Sequence, residues 1–369
     1  MIYVVGLLLL FSFLVSCEKD DEVMDSSALK SASVHGNQQE GLQDNGNPVV
    51  TTFAQNIMYP RGLKFGPDGY LYVATAGVGG NTLTSCEQVI PPVGPYLGGN
   101  TASILKISPN GDVSVVADEL PSDINALGFT MGVADVAFIG NQLYALLVAG
   151  CSHGNSDYPS SVIHVNSDGT WSVVADLSDY FMNHPVEASE EEDFEPDGTP
   201  YGMVSVRGDL YVVEANHGEM LKVTTDGSIH RVIDFSAHYG HIVPTAIALH
   251  GNFYVGNLRT FPLEEGSSKI YKVTPSGVPE VWAEGFTGIL GVAFDARNRM
   301  YVLETASVGG DPTPMTGRVI RVNHDNSRDV IADQLFFPTG MTFGPDGALY
   351  ISNTGFGPPT GSILKVELN

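Results

Sequence analysis

Oxygen-bearing side chains recur at one position of a repeated pattern in this chain. Six times the sequence carries an apolar–tyrosine–apolar signature, at Leu71-Tyr72-Val73, Leu143-Tyr144-Ala145, Leu210-Tyr211-Val212, Phe253-Tyr254-Val255, Met300-Tyr301-Val302 and Leu349-Tyr350-Ile351. The residue closing each run is, in order, Thr75, Leu147, Glu214, Asn257, Glu304 and Asn353, so four successive copies offer an oxygen donor. A second row, about ten residues upstream, reads Gly62, Asp135, Gly202, Ala246, Gly291 and Gly340: five small residues and one carboxylate. Asp135, Glu214, Asn257, Glu304 and Asn353 would together make a mixed carboxylate and amide donor set, which suits a hard cation such as Ca²⁺ better than zinc. The same residue types at strand ends also do humbler chemistry, bonding the backbone of the turn that follows.

Other chemistry is thinly signalled. Five of ten histidines, His153, His184, His217, His238 and His241, fall in or beside long loops, but no pair has zinc-site spacing backed by cysteine. Neither G-x-S-x-G nor H-E-x-x-H occurs, which disfavours a serine-hydrolase elbow and a helical zinc protease. Tyr201, beside Gly202, with Arg61, Arg259 and Phe261 nearby, offers stacking and anion-pairing groups for a ligand. Cys86 and Cys151 both follow a second strand in adjacent repeats, and the expectation is a disulfide between them.

The elements that must position these groups are strands. Each signature is preceded by an apolar strand and a tight turn such as Pro67-Asp68-Gly69 or Pro345-Asp346-Gly347, where proline presets φ and glycine supplies the positive one. A third strand follows every signature and a fourth follows five of them. The sixth copy has no fourth strand after it, and residues 49–54 match the missing pattern. The sequence therefore predicts an all-β, six-bladed β-propeller over residues 49–369, its ring closed by the N-terminal strand so that no sheet edge is left open at the joint. The turns of one face are short. Long insertions, including 76–102, 149–160, 258–268, 306–317 and the acidic 177–199, all emerge on the other, which is where binding or catalysis is expected.

Composition narrows the partners. Forty-two acidic residues against 17 basic ones give a formal charge of −25, which argues against nucleic acid, whose affinity comes from cations on phosphate. Residues 1–17 read as a lipoprotein signal peptide, an apolar stretch too short for a typical membrane span that ends in Leu14-Val15-Ser16-Cys17. This resembles a bacterial lipobox, which implies diacylation of Cys17 and contact with the membrane through that anchor alone. The Glu18–Glu22 acidic run resembles outer-membrane sorting signals. Residues 18–48, polar and without apolar periodicity, are expected to be a disordered tether with a reach of roughly 30 Å.

Four segments carry a family resemblance: Pro60 to Gly69 (PRGLKFGPDG), Val93 to Thr101 (VGPYLGGNT), Glu195 to Gly202 (EPDGTPYG), and Val243 to Ile247 (VPTAI) with Asn257 to Pro262 (NLRTFP). Over about residues 50–369 the chain resembles the ScyD/ScyE propeller proteins, within the wider NHL- and SMP-30-like six-bladed group. The oxygen ring is similar to the channel calcium ligands of six-bladed hydrolases of the gluconolactonase and paraoxonase type. The reading that follows is a monomeric, lipid-anchored outer-membrane protein, facing the periplasm or the cell surface, whose loop-rich face binds a small molecule, glycan or protein. The competing one is a calcium-dependent lactonase- or esterase-like hydrolase with a loop histidine as base.

Overall fold

Aspartate in the tight turns does more than bend the chain. In blade 1 the Asp68 carboxylate accepts from the Tyr70 amide (3.2 Å) and the Tyr72 hydroxyl (3.0 Å) and pairs with Lys106 of the third strand (2.7 Å). Blade 6 repeats the arrangement, with Asp346 bonded to Ala348, Tyr350 and Lys365. In these two blades the signature tyrosine thus ties its own turn to the strand beside it, while Gly69 and Gly347 hold the positive φ (79° and 78°) that the turn requires.

The computed structural model describes residues 48–86, 91, 93–189 and 194–368. The signal peptide, Cys17 and nearly all of the tether lie outside these residues. Six antiparallel sheets succeed one another, each with an inner strand, a signature strand, a third strand and an outer strand. The inner strands are Pro60–Phe65, Val133–Ile139, Pro200–Val206, Pro244–His250, Ile289–Phe294 and Gly340–Phe343. Ring closure is as expected: Val49–Ile57 pairs antiparallel with Gly361–Glu367, from Val49 opposite Glu367 to Ile57 opposite Gly361, and becomes the outer strand of blade 6.

Several details depart from the sequence reading. The third strand of blade 1, Leu97–Ile107, begins five residues before the expected end of the 76–102 insertion, and its partner Val113–Ile124 is correspondingly longer. Gly98 and Gly99 permit this, because the backbones of Gly154 and Gly79 press against them and leave no room for a Cβ. Blade 1 also gains a fifth short strand, Thr130–Met131. Among the described residues the loops contain two short helices, Leu177–Asn183 and Ser236–Tyr239, and a 3-10 turn, Cys151–His153. No helix among the described residues is long and apolar enough to cross a membrane.

Aliphatic and aromatic residues fill the spaces between neighbouring blades, for example Ala74, Ile104, Val136, Ala145 and Ile163 between blades 1 and 2. At the hub the backbones approach too closely for side chains. A Cβ on Gly62 would lie 2.1 Å from the Asp135 carboxylate, and one on Gly340 would lie 2.8 Å from the Arg61 carbonyl.

Candidate functional site

Each strand-end oxygen is engaged by backbone of its own blade. Glu214, fully buried, accepts from the amides of Thr199 (2.6 Å), Asn216 (2.9 Å) and His217 (2.6 Å). Asn257 donates to the Ile242 carbonyl (2.7 Å) and accepts from the Lys269 amide (2.6 Å). Glu304 accepts from the Thr287 amide (2.8 Å) and pairs with Arg318, and Asn353 accepts from the Phe336 amide (2.9 Å). In all four blades the side chain fastens the linker that enters its own inner strand, through groups that have left the sheet ladder. Among the described residues no group of three or more His, Cys, Asp or Glu is placed to hold a metal ion.

Asp135 is different. It lines the axial channel, where its two oxygens accept from the amides of Val136 and Met203 (2.9 Å each), so it bridges blades 2 and 3. Burial pushes its pKa above the usual carboxylate value, against the pull of Lys64 and those amides.

Of the four residues expected to bind a ligand, three are linked through Phe129 and Phe356. Phe261, in the blade 4 insertion, stacks on Phe129 of the linker after blade 1 (centroids 5.9 Å apart, planes 15°). Phe129 in turn meets Phe356 of the blade 6 insertion edge-on at 5.2 Å. Arg61 lies beneath, its Cζ 4.8 Å from the Phe356 ring centre, and it is 1% exposed. Its guanidinium donates to the carbonyls of Gly355 (2.5 Å) and Thr130 (2.6 Å), so it braces two loops and does not face solvent. Burial lowers its pKa, and the nearby Tyr201 and Asp123 offset part of that effect. Tyr201 packs with Leu290, Met131, Val243, Leu258 and Phe356 in an apolar plug at the loop-rich end of the channel. Arg259 stands apart: its backbone turns through a positive φ of 74°, and its charge acts on Tyr271 of blade 4.

A polar knot gathers beside this plug that no spacing in the sequence signals. His153, completely buried, directs Nδ1 at the Asp123 carboxylate (2.8 Å) and Nε2 at the Gly198 carbonyl (3.1 Å). Both partners are acceptors, so the ring carries two protons. Burial pulls its pKa down, but Asp123, Glu195 and Asp197 more than offset this and raise it to about 9. Glu195 also accepts from the Tyr96 hydroxyl (2.6 Å) and from Thr199, while Asp197 accepts from the Ser152 amide (2.8 Å) and hydroxyl (2.7 Å). Cys86 and Cys151 are joined by a disulfide (Cα–Cα 6.0 Å), which fastens the blade 1 insertion to the turn bearing His153. The acidic insertion therefore folds inward at its C-terminal end, since Glu195 and Asp197 are buried; residues 190–193 lie outside the described residues.

The remaining loop histidines are structural contacts or lie at the edge. His217 is buried, donates from Nε2 to the Glu195 carbonyl (2.8 Å) and stacks with Phe194 at 5.2 Å, and His184 stacks on Tyr180 at 4.3 Å. His238 sits in the short Ser236–Tyr239 helix with His241 just beyond it.

No family model matches the chain, and no curated protein matches its sequence. Solved structures do share its architecture. A protein of unknown function from Bacteroides thetaiotaomicron is similar with a TM-score of 0.57 and 12% identity, covering 87% of this chain and 76% of that one. A gluconolactonase from Xanthomonas campestris is similar at 0.54 and 12% (86% and 89% covered), and a streptogramin B lyase at 0.52 and 15% (88% and 98% covered). At such identities the likeness concerns the fold: this chain is a six-bladed β-propeller, built like propellers of the gluconolactonase and streptogramin B lyase kind.

Proposed function

We propose that the chain is a lipid-anchored, extracytoplasmic binding module of the ScyD/ScyE kind, held at the outer membrane through Cys17. It takes a small molecule, glycan or protein side chain bearing a flat apolar surface on its loop-rich face. The observation that carries this reading is the aromatic patch, where the linker after blade 1 and the insertions of blades 4 and 6 bring Phe129, Phe261 and Phe356 together with Phe261 still 41% exposed. Rings held rigidly at the centre of a loop-rich face supply contact area at low entropic cost. The disulfide and the His153 knot provide the rigidity, and the nearby carboxylates and imidazoles are spent on backbone groups or on one another.

A thermal-shift screen of aromatic small molecules and oligosaccharides against the full chain tests the proposal. Phe261→Ala should abolish the shifts while leaving the unliganded melting temperature nearly unchanged, as for other exposed side chains. Ligands that shift Phe261→Ala and Phe129→Ala as strongly as the native chain would place binding elsewhere.

The alternative is a calcium-dependent lactonase- or esterase-like hydrolase. What favours it is Asp135, a buried carboxylate facing the axial channel in a fold shared with a gluconolactonase. The strand-end residues Glu214, Asn257, Glu304 and Asn353 are each engaged by the linker of their own blade, which leaves Asp135 as the carboxylate lining the channel. Turnover across a lactone panel that is lost both with EDTA and in Asp135→Asn would replace the binding reading.

A further inference from the structure

The rings of the aromatic patch offer faces and edges but no hydrogen-bonding atom, since Phe129, Phe261 and Phe356 lack a hydroxyl or ring N–H. Two polar side chains beside them are spent. Asn125, four residues before Phe129, accepts with its side-chain oxygen from the amides of Leu127 (3.1 Å) and Phe129 (2.9 Å), and the Arg61 guanidinium donates to the carbonyls of Gly355 and Thr130. A glycan laid over these rings would give up water from its hydroxyls and receive nothing from the rings in return.

Charge supplies what the rings lack. The blade 4 insertion runs on from Phe261 to Glu264 and Glu265, and the pairing of Leu263 with Gly310 (N–H···O 2.9 and 2.7 Å) brings Asp311 of the blade 5 insertion beside them. All three are exposed. Three residues of chain span at most about 11 Å, close to the roughly 10 Å screening length at 0.1 M salt, so the charge of Glu264 is felt at Phe261. The cations nearby are committed elsewhere: the charge of Arg61 is offset by Asp123, and that of Arg259 acts on Tyr271. Arg61 also shows that the Phe356 ring takes a cation, its Cζ lying 4.8 Å from the ring centre.

We propose, on the reading that this patch is the binding site, that its ligand is a small organic cation: an alkyl-substituted ammonium group on a flat apolar body. Phe356 stands at 80° to Phe129, and a rounded ammonium head touches both planes where a flat ring stacks on one. The ring faces meet the charge, the alkyl groups supply the contact area, and Glu264, Glu265 and Asp311 raise the local concentration of cations on a chain of net charge −25.

Isothermal titration of the full chain with 3-hydroxyphenyltrimethylammonium and with 3-tert-butylphenol, a neutral molecule of the same shape, separates charge from apolar contact. The ammonium should bind about tenfold more tightly at low salt, the scale of a partly desolvated cation–π contact. Phe261→Leu, which keeps an apolar side chain and removes the ring, should reduce that preference to about twofold. Glu264→Gln/Glu265→Gln and added salt should each narrow it. Equal affinities for the two compounds, both lost in Phe261→Ala, would overturn the cation and leave the patch as the site. A preference that persists in Phe261→Ala and in Phe129→Ala would put the cation elsewhere on the acidic surface and overturn the proposal as well. If neither compound binds, the cation and the binding reading it rests on both fail.

Discussion

Removing the closing strand should cost the propeller far more than removing everything before it. Within Val49–Ile57, Ile57 is completely buried and Ala54 nearly so, in a core with Leu63, Leu71, Tyr350 and Ile363, and the Phe53 ring meets Tyr350 edge-on at 5.0 Å. Truncating a buried isoleucine to alanine costs about 2–5 kcal/mol, and an aromatic pair adds about 0.5–1.5 kcal/mol beyond its area. Ile57→Ala should therefore cost about 3 kcal/mol. For a domain of roughly 320 residues the unfolding entropy near the midpoint is about 0.7 kcal/mol per degree, so the melting temperature should fall by about 4 °C. A chain beginning at Val49 should melt with the full-length protein. A chain beginning at Met58 loses the whole strand, exposes Gly361–Glu367 as an open edge, and should melt several degrees below Ile57→Ala or associate. Scanning calorimetry with gel filtration reads both effects. If the two truncations melted within a degree or two of each other and both stayed monomeric, the closing strand would not be what holds blade 6.

Two further outcomes follow from the loop-rich face. Breaking the Cys86–Cys151 bond, by reduction or in a Cys86→Ala/Cys151→Ala chain, should lower stability by about 2–4 kcal/mol in urea titration, and no change would show that the insertion is held by other contacts alone. His153 has a folded pKa of about 9, above the roughly 6.5 of the unfolded chain, so its contribution is fully present below about pH 6.5 and is lost as pH rises through 9. The stability gap between the native chain and His153→Gln should narrow over that window, and a gap constant from pH 6 to 10 would refute the ion-paired imidazolium.

The blades were legible in the sequence because each rests on local chemistry. A Pro-Asp-Gly turn followed by an apolar–tyrosine–apolar run carries its own φ requirement, its own hydroxyl partner and its own alternation, so six copies of the run announce six sheets. Ring closure was legible by default, since residues 49–54 match the one strand the sixth copy lacks. The oxygen ring was legible only as a row of residue types. A strand-end Glu or Asn can face the axis or turn back to its linker, and nothing in its spacing separates the two. The turn after Glu214 held the one available clue, because its carboxylate takes the amides two and three residues on, a local pattern readable from Glu-Ala-Asn-His. The His153 knot was invisible for the opposite reason. Asp123, His153, Glu195 and Asp197 come from the outer strand of blade 1 and two separate loops, and only the packed ring brings them together. Arg61 reads in the sequence as a cation for a ligand and in the fold is a brace, since burial is set by the loops around it and not by its own segment.

The central claim is that the loop-rich face binds through its rings. Soaking crystals of the full chain with small aromatic probes such as phenol and benzamide measures this whatever the natural ligand is. The account expects probe density to collect against Phe129 and Phe261 and to disappear in Phe261→Ala. Density that clusters instead at the short-turn face or along the outer strands, where Val115 and Trp282 are exposed, would contradict it.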